Sequence, residues 1–238
     1  MRKIALALIL SLPIMAGIYK AKIEPYEKTT ISSEVSGKII KLDQKDELKL
    51  LNKKVLIIDH DLESKELANS KMKLRFLEDE IKIKKDQFER IKNLKGKSIF
   101  AKERYKSELL NLQIQKRDLL NAIAKLQDII NKKEISLKNR YLKKLYVKEG
   151  TFVMPGMKLM DIEDTSASRI ILYLDAKDKE NIKNKKILID GREDHGYKIQ
   201  KVALTTDEKY ISSYRVELVK QKPALFGKIV TVEIGDKK

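Results

Sequence analysis

An apolar residue every third or fourth position, sustained from Leu62 to about Leu137, restricts what this chain can fold into more than any other feature. Leu67, Leu74, Ile81 and Phe88 stand seven residues apart, with Leu77 and Ile91 at the intervening positions. After an interruption, Tyr105, Leu109, Leu112, Leu119, Ile123, Leu126, Ile130 and Leu137 resume the rhythm. Heptads held this long give a helix a narrow apolar seam, which suits pairing with another helix and not burial in a broad core. The interruption is Asn93–Ser98, where Gly96 can adopt the left-handed conformation that ends a helix. Two helices of about 34 residues, rising ~1.5 Å per residue, predict an antiparallel hairpin about 50 Å long. Ser70, Lys84, Lys116 and Lys133 interrupt the seam. Polar residues there weaken a helix pair and set its register.

The composition suits such a shape. Charged residues make up 37% and aromatic residues 6% of the 238, more in keeping with long solvated helices than with a thick globular core. There is no cysteine, hence no disulfide framework and no thiolate metal site. The net charge of +17 points either to an anionic partner or to solvated lysine-rich helix faces. The lysines are scattered, without the arginine blocks and interleaved aromatics that stacking on nucleic acid requires.

At the start, Met1-Arg2-Lys3 precedes an apolar run from Ile4 to Ile18 that only Ser11 and Pro13 break. Positive charge before such a run is the layout of an export signal. Only Ala16 is small at the possible cleavage site, so residues 1–20 are expected to be a signal or an uncleaved membrane anchor, with Tyr19 at the interface. The remainder is expected to be exported.

Strand patterns flank the hairpin. Thr29–Val35, Lys38–Leu42 and Val55–Ile58 precede it, and Leu145–Val147, Thr151–Val153 and Lys158–Ile162 follow it, with turn signals at Gly150 and Pro155-Gly156. Leu42 and Val147, Leu48 and Val153, Ile57 and Ile162, and Asp59 and Asp164 are all 105 positions apart. The same small β unit therefore occurs on each side of the hairpin, and two such halves can close on each other as a sandwich.

This order of parts resembles the membrane fusion proteins, or periplasmic adaptors, of hemolysin-D type. Val35–Ile39 is similar to the opening of that family's first lipoyl-like half, and Val147–Leu159 to its second. Ile170–Ile189 resembles the first barrel strand, a short helix at Asp178–Ile182 and a second strand; Tyr214–Leu218 and Phe226–Val232 resemble the closing strands. The resemblance implies an α+β chain in which a long antiparallel coiled-coil hairpin is inserted between two halves of a lipoyl-like β-sandwich (barrel-sandwich hybrid), followed by a small β-barrel. The divisions are 1–20 for the signal or anchor, 21–60 with 138–165 for the sandwich, 61–137 for the hairpin and 166–238 for the barrel. The first half has Lys45 and Leu51 where the second has Gly150 and Gly156, so its turns should differ.

Catalytic chemistry finds little support. His60 and His195 lie in unrelated segments, and Asp59-His60-Asp61 is expected to be a solvated turn. No nucleophile–base set and no phosphate loop is present. The lysine that a lipoyl carrier modifies is missing, because the hairpin replaces that turn. The resemblance thus implies a non-enzymatic, cofactor-free and metal-free adaptor at the periplasmic side of the inner membrane. Its expected partners are an inner-membrane transporter, proton-driven or ABC type, an outer-membrane channel and further copies of itself as a trimer or hexamer, without nucleic acid. Function should concentrate at the hairpin tip. Leu94, Ile99 and Phe100 are apolar residues beside Gly96, and either meet a partner or staple the helices. Tips in the family carry Arg-Leu and then Ser; Arg90-Ile91 matches the first pair, while Ala101 falls near the Ser position with Ser98 upstream. The alternative is an exported basic coiled-coil protein that binds an anionic polymer, cell wall or nucleic acid.

Overall fold

The computed structural model describes residues 17–92, 96, 98–180, 182–221 and 224–236. The chain divides into two compact units, one of Thr30–Lys138 and Leu142–Asp161, the other of Met1–Thr29, Asn139–Tyr141 and Ile162–Lys238. Strands β1 (Gly17–Ser32) and β6 (Lys158–Leu174) contribute residues to both units.

In the first unit, β2 (Gly37–Leu42) pairs antiparallel with β3 (Lys49–Ile58), Leu42 opposite Leu56. It also pairs with the short β5 (Phe152–Val153), which joins the two halves of the repeat. Strand β4 (Glu134–Leu145) lies next to β3. Ile39, Leu56, Ile58, Leu142, Val153 and Leu159 are fully buried in this unit. The repeat holds at Leu42 and Val147, which are both buried, but fails at Leu48 and Val153. Leu48 is 63% exposed whereas Val153 is 0% exposed. The turns are the cause. The second half turns at Gly150 and Gly156, with φ of +86° and +85°; the first uses a 3₁₀ turn at Gln44–Asp46 capped by Asp43, and Leu48 itself takes a φ of +64°.

Between β3 and β4 run α1 (Asp61–Lys92) and α2 (Ile99–Lys133). Lys84 pairs with Glu108 at 2.9 Å and Lys116 with Glu78 at 2.7 Å, so the helices lie side by side and antiparallel. On α1 the seam residues from Leu67 to Ile91 are the sheltered ones, and Ser70 and Lys84 are sheltered with them. On α2 Tyr105, Leu109, Leu112, Lys116, Leu119, Ile123, Leu126 and Ile130 form the facing row. The lysines tolerate the seam because each ammonium reaches a carboxylate while its stem covers apolar surface. One boundary differs from the heptad reading: α2 ends at Lys133, and Leu137, taken as a seam residue, is 2% exposed within β4. From Glu134 onward burial of the strand decides the conformation.

In the second unit, β1 pairs with β11 (Ile229–Asp236), Gly17 opposite Ile234 and Ala21 opposite Val230. Next to β11 come β7 (Lys185–Ile189) and the two-residue β8 (Arg192–Glu193). On the other side β6 pairs with β10 (Tyr214–Lys220), which pairs with β9 (Lys198–Val202). Ile170, Leu172 and Leu174 alternate along β6 and meet Val216, Leu218, Val230, Val232 and Ile234 in the core. A short α3 (Ala176–Lys179) replaces the helix expected over Asp178–Ile182, because Asp175 caps it by accepting from the Asp178 amide at 2.7 Å. Residues 198–202 carry an additional strand that the sequence reading did not assign.

The largest correction is at the start of the chain. Gly17–Lys20, assigned to the signal, are strand, and Gly17–Thr29 pack with the C-terminal strands and not with the sandwich. Tyr19, expected at a membrane interface, donates to the carboxylate of the buried Asp178 at 2.6 Å. The rest of the expected signal, residues 1–16, lies outside the described residues.

Leu119→Asp places a carboxylate on the apolar seam, at a cost of roughly 1–3 kcal/mol. The far-ultraviolet helical signal should melt earlier while the β signal persists. Loss of both in one transition would show that the seam and the strands share one cooperative core.

Candidate functional site

The two ends of the helix pair are built differently. At the base, Lys133 projects from the last turn of α2, and its ammonium donates to the backbone oxygen of Asp59 at 2.8 Å and to the Glu63 carboxylate. The Lys133 side chain is 9% exposed. Beside it, Glu134 accepts from Lys54 at 2.6 Å and lies 3.2 Å from His60 Nε2, while His60 Nδ1 meets the Ser64 hydroxyl at 2.8 Å. His60 is therefore not the solvated turn residue that its acidic neighbours suggested, since its side chain is 18% exposed and both ring nitrogens are engaged. The hydrogen bond from Lys133 holds the Glu63 carboxyl below the ordinary glutamate range, and that from Lys54 does the same for Glu134. This cluster fastens both helix ends to β3 and β4. Sequence alone signalled only one member, Lys133, as a polar residue on the seam.

At the far end the side chains point outward. Ser98 caps α2 by accepting from the Ala101 amide at 3.2 Å, and Ala101 is half-buried in the first turn. Gly96 has φ +105°, a conformation suited to glycine at a helix connection. Lys102 donates to the Lys92 carbonyl at 3.0 Å and so satisfies an otherwise open end of α1. Arg90 is exposed in the last turn of α1, where a cation suits the negative end of the helix dipole. Ile99 and Phe100 are 77% and 78% exposed, so neither staples one helix to the other. Leu94, the third apolar residue expected here, lies outside the described residues. The cations outnumber the acids: Arg90, Lys92, Lys102, Arg104 and Lys106 stand against Glu89 and Glu103.

Among the described residues no cluster of histidine, aspartate and glutamate is arranged to hold a metal ion. No helix among them is long and apolar enough to cross a membrane.

No protein-family model matches the sequence, and no curated protein matches it. Solved structures do. The membrane fusion protein Spr0693 from Streptococcus pneumoniae R6 superposes with a TM-score of 0.67 at 8% identity, over 93% of this chain and 100% of that one. A MacA–MexA chimera carrying the Pseudomonas aeruginosa MexA α-hairpin domain gives 0.64 at 19% identity, over 94% of this chain and 82% of its own. MacA from Actinobacillus actinomycetemcomitans gives 0.54 at 18% identity, over 94% and 80%. The chain has the membrane fusion protein fold. At these identities it is the fold that is shared.

The acid response of the base follows from Glu63. Its folded-state pKa is depressed, so the Lys133 bond contributes fully above the ordinary glutamate range and is lost as the pH falls through the lower folded-state value. Glu63→Gln should remove about 1–3 kcal/mol at neutral pH and flatten the acid limb of a melting-temperature profile between about pH 5 and 3. An acid limb identical to that of the parent protein would show that other carboxylates govern it.

Proposed function

We propose that this chain is a non-enzymatic periplasmic adaptor that links an inner-membrane transporter to an outer-membrane channel in an efflux or secretion assembly. The observation that carries the reading is the uncovered Ile99–Phe100 pair at the end of helices reaching about 48 Å beyond their base, on a membrane fusion protein fold. In this reading α1 and α2 are a coiled-coil hairpin, and the strands of their unit form the lipoyl-like sandwich. The second unit is the barrel domain that meets the transporter. The tip contact consists of Ile99, Phe100, Arg90 and the residues around Gly96, while Ser98 and Ala101 shape the turn that presents them.

Self-assembly into a trimer or hexamer is part of the proposal. Met72, Phe76 and Ile83 are 57%, 68% and 57% exposed, and their spacing puts them on one stripe of α1 away from the seam. A neighbouring copy would cover such a stripe. The work of the adaptor is to seal a conduit and pass on movement, which needs neither a cofactor nor a catalytic group.

The test is a photo-cross-linking side chain in place of Phe100, in cells that hold the full assembly. An adduct with an outer-membrane protein is expected, and replacing Ile99 with Ala as well should weaken it several-fold without changing the melting temperature. No adduct, or adducts only with polysaccharide, would overturn the adaptor reading; polysaccharide would favour an anionic-polymer binder. A phosphatase fused after Asp236 should be active on the periplasmic side, and an inactive fusion would defeat export and the adaptor role together.

A further inference from the structure

The first strand starts where the apolar run stops. Ile4–Ala16 lead without a linker into Gly17, the first residue of β1 and already paired with Ile234. As a helix, the run from Ile4 to Ala16 would cover about 20 Å at 1.5 Å per residue, short of the ~30 Å of a bilayer's hydrocarbon. If that run stays in the membrane, the folded unit has no slack and must sit on the headgroups with its Gly17 end.

That end is identifiable from contacts within the unit. Helix α3 lies directly against Gly17: a side chain there would stand 1.7 Å from the Asp178 carboxylate. The Lys185 ammonium reaches the Lys177 carbonyl at 3.0 Å and Asp178 at 3.5 Å, and Lys179 reaches the Leu204 carbonyl at 3.3 Å. Residues 17–18, 176–180, 182–186 and 204 therefore share one end. Its chemistry suits a phospholipid surface. Ile18 is 69% and Leu204 is 88% exposed, with no apolar partner needed from the rest of the unit. Around them the segment from Asp175 carries Lys177, Lys179, Lys183, Lys185 and Lys186 against Asp175, Asp178 and Glu180. Both aspartates are engaged within the unit: Asp175, though exposed, caps α3, and the buried Asp178 is bonded to Tyr19 and Lys185. Lys186 is held by Glu193 at 3.0 Å. Lys177 and Lys183 are exposed, and Lys179 lies over the Tyr214 ring at 4.0 Å with its charge unmatched by a carboxylate in that contact.

We propose that this end of the second unit is a docking surface for an anionic phospholipid leaflet, with Ile18 and Leu204 at the level of the headgroups and Lys177, Lys179 and Lys183 on their phosphates. The surface rests on the reading of residues 1–16 as a retained anchor, and on the exported location that the adaptor reading also requires. Each lysine held near an anionic surface contributes about 1 kcal/mol, so the collar orients a chain that the apolar run has already brought to the membrane. Its effect is to fix which way the unit stands on the bilayer before any protein partner arrives.

The test uses the full chain in lipid nanodiscs without a transporter or channel, so it is separable from the cross-linking test of the adaptor role. Lysine acetylation is followed residue by residue by mass spectrometry, in discs of phosphatidylethanolamine with phosphatidylglycerol and in discs of phosphatidylcholine. Lys177, Lys179 and Lys183 should react at least threefold more slowly in the anionic discs, while Lys71 and Lys73 on α1 react equally in both. Leu204→Asp should abolish the protection at Lys179 without lowering the melting temperature. Equal reactivity in the two lipids would overturn the proposal. So would a mature chain from cells that begins at Gly17, a result that leaves the adaptor reading standing. Protection that appears only when a transporter is added would assign the same end to protein instead of lipid.

Discussion

Lys133 holds the helix pair to its β unit, and most of that unit's architecture depends on the contact. It lies at the point where the chain leaves α2 for β4, and it reaches across to Asp59 and Glu63, where the chain enters α1. A long two-helix insertion has two ends to secure. A charged hydrogen-bonded contact that is nearly dry does this with a directionality that apolar packing lacks. Because entry and exit are tied together, the strands on either side, β3 and β4, are delivered side by side and the two halves of the repeat can complete one fold. His60, Ser64, Lys54 and Glu134 extend the same contact.

Beyond the base, the helices rely on a seam one residue wide on each. Such a seam buries little apolar surface per residue, and the lysines along it are balanced one at a time by Glu108 and Glu78. The arrangement keeps register over a long distance with little core. An extended arm of this kind suits the proposed adaptor role, and the exposure of Ile99 and Phe100 follows from the same geometry. The second unit is organised in the opposite way, around a continuous apolar core between β6, β10, β11 and β1, with the acid–phenol bond of Asp178 and Tyr19 closing one end. Burial and that carboxylate push the Tyr19 phenol far above its ordinary range, so the phenol keeps the proton it donates well into alkaline pH.

The heptads between Leu67 and Ile130 determined by themselves that two long helices would pair and which of their residues, the polar Ser70, Lys84 and Lys116 among them, would be sheltered. Periodicity is a local property of the chain, and each position on a long solvated helix has only one way to be inside. The exposure of Ile99 and Phe100 follows for the same reason, since little of a helix pair can reach past its own turn. What only the tertiary structure decided is where local preference is weak. Gly17–Thr29 has strand character that would suit either unit, and the partner β11, more than two hundred residues away, selects one. Leu48 and Val153 occupy matching positions in the repeat yet differ completely in burial, because glycine turns are available to one half and not to the other. Nothing in the sequence joins Tyr19 to Asp178, Glu63 to Lys133 or His60 to Glu134; each becomes a structural contact only when folding brings its distant partner within hydrogen-bonding distance, and no spacing along the chain encodes that distance.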